Sequence, residues 1–203
     1  NNDYQLRITD KNGQFIKELL PVDPKSKVLH GLGQNFYVYD GKLNVFPHFS
    51  NTIFSITPDS TTQRYHFYFG DYHFPDDEIF QKKEYNSQAI MSEIMNNSYV
   101  RLMAPYETDE HLLVKYYVKR QVLLGIYNKK KHTAINLDPE MVIDSLHLGT
   151  FPVPIGFNHN EFIGQLTLDI QQKNRIMIPE LQKLMADYSE DSNPILIFYS
   201  LRS

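Results

Sequence analysis

The feature that most constrains this chain is a strand-like segment that returns along it at long intervals. Tyr4-Gln5-Leu6-Arg7-Ile8-Thr9-Asp10 is echoed by Ile53-Phe54-Ser55-Ile56-Thr57-Pro58-Asp59, by Val122-Leu123-Leu124-Gly125-Ile126-Tyr127-Asn128 and by Ile195-Leu196-Ile197-Phe198-Tyr199-Ser200. The first two copies lie about 49 residues apart and the later intervals are about 70. Removing roughly 20–25 residues from each longer interval, where the β pattern breaks, restores a common period of about 45–50. A unit of that length holding four short strands is the size of a β-propeller blade; a plain sandwich lacks the long period.

The strands themselves are legible from alternation and turn chemistry. Tyr4, Leu6 and Ile8 alternate with polar residues, and Asn12-Gly13 then turns the chain into a second strand over Gln14–Leu19. Asp40-Gly41 joins Asn35–Tyr39 to Lys42–Phe46, and Pro58-Asp59-Ser60 joins Thr52–Thr57 to Gln63–Phe69. Further strands are predicted near Tyr99–Pro105, Leu112–Lys119, Val122–Asn128, Thr133–Asp138, Pro154–Phe157, Glu161–Leu168 and Ile195–Leu201. Two helical insertions are expected, near 76–97, where Ile90, Met91, Ile94 and Met95 recur at helical spacing, and near 178–188, where Leu181, Leu184, Met185 and Tyr188 do so after Pro179. The expectation is an all-β chain: one partial β-propeller domain over 1–203, of about three blades, beginning and ending inside a blade.

Composition agrees and sets limits. Tyr 14 and Phe 13 with Trp 0 suit pleated, half-buried surfaces. The absence of cysteine excludes disulfides, thiolate metal sites and cysteine nucleophiles. Lys+Arg 20 against Asp+Glu 24 gives a net charge of −4, which argues against a nucleic-acid partner. The dense basic run, Lys129-Lys130-Lys131, falls where a solvated turn is expected. No apolar run approaches the ~20 residues of a transmembrane helix.

Several motifs together resemble a known family. Phe49-Ser50-Asn51-Thr52-Ile53-Phe54-Ser55-Ile56, followed by Arg64-Tyr65-His66-Phe67-Tyr68-Phe69-Gly70, is similar to segments of the six-bladed β-propeller lipoproteins of Gram-negative gut bacteria. The closing Asp191-Ser192-Asn193-Pro194-Ile195-Leu196-Ile197-Phe198-Tyr199 looks like that family's C-terminal signature, and Tyr106-Glu107-Thr108-Asp109 and Pro21 fit as well. The resemblance implies the second half of a six-bladed wheel. It also implies an exported protein, periplasmic or anchored to the outer membrane through an N-terminal lipid that this chain does not carry. It transfers no catalytic residue.

Candidate chemistry is sparse. The eight histidines, His30, His48, His66, His73, His111, His132, His147 and His159, show no HExxH or comparable ligand spacing, so no metal ligand and no cofactor is assigned. His48, beside Pro47 and Phe49, is kept as a ligand-binding candidate. Glu107, Asp109 and Glu110 form the densest acidic cluster, read as a polar turn before Leu112, and Glu107 is the expected partner of Arg101, a charge on a predicted innermost strand. Aromatic residues near strand ends, Phe36, Tyr37, Tyr39, Tyr106 and Phe157, are weighed as packing against stacking on sugars or peptides; Tyr37 joins His48, Arg101 and Glu107 as a ligand contact. The leading expectation is a non-enzymatic binding or interaction module of the bacterial cell envelope for a protein, peptide or glycan. The competing class is a metal-assisted lyase or hydrolase at the propeller axis, and a third is a structural subunit of a surface complex. Unpaired edges near Tyr4 and at Ile195–Leu201 predict either a missing propeller half or self-association through edge strands.

Overall fold

A computed structural model describes residues 4–21, 34–47, 50–73, 88–89, 92, 96–119, 121–139, 151–166, 179, 183, 186 and 193–201. It is an all-β structure of four antiparallel sheets. The strands are β1 (Tyr4–Thr9), β2 (Phe15–Pro21), β3 (Gln34–Tyr39), β4 (Lys42–Pro47), β5 (Thr52–Ile56), β6 (Thr61–His66), β7 (Arg101–Glu107), β8 (His111–Val118), β9 (Gln121–Asn128), β10 (Thr133–Leu137), β11 (Pro154–Phe157), β12 (Phe162–Leu166) and β13 (Ile195–Tyr199). Sheet order follows chain order throughout: β1-β2, β3-β4-β5-β6, β7-β8-β9-β10 and β11-β12-β13.

The local chemistry accounts for these meanders. Asp40 and Gly41 both take positive φ, 51° and 65°, and close β3 onto β4 by a two-residue turn whose twist suits the flanking strands. The first hairpin is looser than its Asn-Gly pair suggests. Only Gly13 takes positive φ there, and the Asp10 carboxylate accepts from the backbone N–H of both Asn12 and Gln14. β6 starts at Thr61 and stops at His66, short of the predicted Phe69, because the chain turns into a 3-10 segment over Gly70–Tyr72. Gln88, Ala89, Ser92 and Asn96 have helical backbone, as do Pro179, Lys183 and Ala186. The other residues of the two expected insertions lie outside the described residues, and no helix among the described ones is long and apolar enough to cross a membrane.

The chain divides into two compact units, Asn1–Met103 with Tyr117–Gln121, and Ala104–Tyr116 with Val122–Ser203. In the first, Leu6, Leu19 and Leu20 of the opening hairpin pack on Val45, Phe54 and Ile56 of β4 and β5. In the second, Leu113, Leu124 and Ile126 meet Phe162, with Tyr106, Phe151, Phe157 and Tyr199 closing round them. Tyr106 and Phe157 are therefore core aromatics. The fully buried Leu113, Leu124 and Phe162 each contribute roughly 1.5–3 kcal/mol.

One close approach sets the second core. A Cβ built on Gly164 would stand 2.8 Å from Pro152 Cβ and 3.1 Å from Pro152 O, the oxygen that accepts the Tyr199 hydroxyl at 2.7 Å. At Gly125 the nearest atom, Tyr116 Cε1, would lie 3.6 Å from the added Cβ, an ordinary contact. Gly164→Ala is expected to lose about 1–3 kcal/mol by overpacking while Gly125→Ala stays close to wild type, as read by urea denaturation.

Candidate functional site

Among the described residues, a buried polar cluster lies where the turns of the second unit gather. In a meander, the β7–β8 and β9–β10 turns emerge at the same end of the sheet, which brings residues 20 positions apart in sequence into contact. Glu107 is fully buried, and Lys129 Nζ lies 2.6 Å from its Oε1 and 2.6 Å from Thr108 O. Thr108 folds its own turn: its hydroxyl accepts from His111 N–H at 3.1 Å and its N–H donates to His111 O at 2.8 Å. Asn128 holds the facing turn, its Oδ1 accepting from the N–H groups of Lys130 and Lys131. Its Nδ2, 3.1 Å from His111 Nε2, must then donate, so the imidazole carries its proton on Nδ1. Lys130 pairs with Glu110 on the surface, and Asp109 N–H donates to His159 O, tying in the β11–β12 turn.

This corrects two expectations. Glu107 is paired with Lys129, not Arg101: six residues along one strand separate Arg101 from Glu107 by about 20 Å. Arg101 instead stands over the Tyr117 ring at 4.5 Å. The lysine run is a turn, as expected, but Lys129 points inward and only Lys130 and Lys131 are exposed.

Of the other predicted residues, Tyr37 is buried in β3, opposite Asn44 of β4. Asn44, itself buried, accepts from Arg64, whose guanidinium lies over Tyr39 and Tyr65 at 5.0 and 5.4 Å. His48 lies outside the described residues, as do His30 and His147. Sequence reasoning passed over His66 and His73. Their rings stand 5.9 Å apart, with Gly70 at positive φ in the turn between them; the strand expected through Phe69 concealed that turn.

An all-β chain built of successive antiparallel meanders is the class these features define. The chain belongs to the family described as Domain of unknown function (DUF4934), whose profile matches residues 1–200. Its fold is that of a solved chain from Bacteroides fragilis called "Putative exported protein", with a TM-score of 0.81 at 19% identity. The match covers 99% of this chain and 59% of that one, so this chain spans well under two thirds of its structural neighbour. No curated protein sequence matches it.

The cluster generates two predictions. Lys129→Ala leaves the Glu107 carboxylate buried without its cation and is expected to cost about 3–5 kcal/mol in urea denaturation, whereas Lys131→Ala changes nothing measurable. Burial holds the His111 imidazole below its usual pKa. The unfolded chain therefore takes up a proton near pH 6.5 that the folded chain refuses, so stability falls as pH drops through that value and is unaffected above it. Glu110, held below the ordinary carboxylate range by its hydrogen bond to Lys130, loses its contribution only as pH falls through that lower range. His111→Gln should thus flatten the stability profile between pH 7 and 5 specifically.

Proposed function

We propose that this chain is part of an exported six-bladed β-propeller of the bacterial cell envelope and works there as a binding module, not an enzyme. The blade reading is supported by the successive meanders, by their face-to-face packing within each unit, and by the longer neighbour of the same fold. On this reading β3–β6 and β7–β10 are whole blades, β1–β2 is the outer half of one, and β11–β13 has three of its four strands. Export is supported by the family resemblance and by the name that the neighbour carries, and lipid anchoring by the resemblance alone.

The observation that carries the binding role is β13. Among the described residues it pairs with β12 alone, leaving its other edge of N–H and C=O groups open. Leu196 and Phe198 on one face are 52% and 54% exposed, whereas in β5 and β9, the third strands of the two complete sheets, Gln121 alone is exposed. An open apolar edge takes up an extended chain segment by antiparallel pairing, which favours a protein or peptide strand over a glycan.

Light scattering on the 203-residue chain should show concentration-dependent association, abolished by the double substitution Leu196→Lys and Phe198→Lys without loss of melting temperature. A monomer at every concentration would overturn the edge assignment. Turnover of ester, phosphoester or glycoside substrates by metal-supplemented protein would overturn the non-enzymatic role.

A further inference from the structure

We propose that His66 and His73 form a two-imidazole site for a divalent transition ion of the zinc, copper or nickel class. The site belongs to the first unit and does not rest on the strand-pairing reading above. His66 ends β6, directly opposite Thr52 of β5. The chain then turns through Gly70–Tyr72, and His73 is fixed by its N–H to Gly70 O.

Three observations converge on an ion. First, each ring is anchored through one nitrogen by adjacent residues: His66 Nδ1 lies 2.9 Å from Thr52 Oγ1, and His73 Nε2 lies 3.0 Å from Asn51 Nδ2. Metal-bound histidines are oriented in this way, one nitrogen held by a polar partner and the other turned to the ion. Second, His73 Nδ1 is buried and has no hydrogen-bond partner, a costly state that a ligand would relieve. Third, the spacing suits a shared ion. A metal–nitrogen bond of about 2.0–2.1 Å puts the ion about 3.2 Å from each ring centre. Two rings sharing a tetrahedral ion then have centres about 5.2 Å apart, and these stand at 5.9 Å, within reach of a small side-chain adjustment.

Binding asks for two proton placements. His66 keeps its proton on Nδ1, donated to Thr52, and frees Nε2. Asn51 turns its amide so that its oxygen accepts the proton of His73 Nε2, leaving the Nδ1 lone pair for the ion. Imidazole donors favour zinc, copper and nickel over calcium or magnesium. Among the described residues no third histidine or carboxylate joins the pair, so water completes the coordination. The Tyr68 ring lies 5.6 Å from that of His73 and is 81% exposed.

Calorimetric titration of the whole chain with Zn²⁺ and with Cu²⁺ tests the site. One ion per chain is expected, with affinity falling at least tenfold in His66→Ala and in His73→Ala and unchanged in His132→Ala and His159→Ala. Should either key variant fail to fold, imidazole ¹⁵N shifts of the wild-type chain replace it: Zn²⁺ should move His66 Nε2 and His73 Nδ1. Binding that survives both substitutions, a shift confined to other histidines, or no saturable binding would each overturn the proposal.

Discussion

The structure depends on antiparallel pairing between chain neighbours. Among the described residues every strand finds its partner next to it in strand order, and short turns join the pairs everywhere except between β12 and β13. That economy leaves apolar faces, and within each unit neighbouring sheets cover them, with Phe162 against Leu113 and Leu124 in one and Leu20 against Val45 and Ile56 in the other. It also delivers alternate turns to the same end. The polar cluster of Glu107, Lys129, His111 and Asn128 is a product of that geometry.

Much of the strand order was legible because its signals are local. Asp40-Gly41 declares a turn by needing two positive φ angles, and the alternation through β1 and the predicted run over β9 announce their strands within a few residues of the observed ends. Charge pairing was not legible in the same way. Glu107 and Lys129 are 22 residues apart and meet only because two turns share one end of a sheet, whereas Arg101, nearer in sequence, lies a strand's length away. The histidine pair was hidden for a related reason: the strand expected through Phe69 concealed the turn, with Gly70 at positive φ, that lies between His66 and His73.

The two halves of the polar inventory behave differently. Around the turns of the second unit, Glu107 and Glu110 are each answered by a lysine of the facing turn, Lys129 and Lys130. Near the end of β6 in the first unit, Thr52 and Asn51 steady two imidazoles without consuming both nitrogens of either. A polar network that satisfies itself supports a fold, while one that leaves a buried nitrogen unanswered is open to a ligand.

The lysine run shows how three identical letters can hold different offices. The first is turned inward beneath Thr108, the second reaches across to Glu110, and the third lends its backbone N–H to Asn128 and leaves its amine to solvent. To an acylating reagent, or to a protease that cuts after lysine, the three are not equivalent: two are open to attack and the first is shielded for as long as the turns stay docked. Labelling at that amine would therefore report the undocking of those turns.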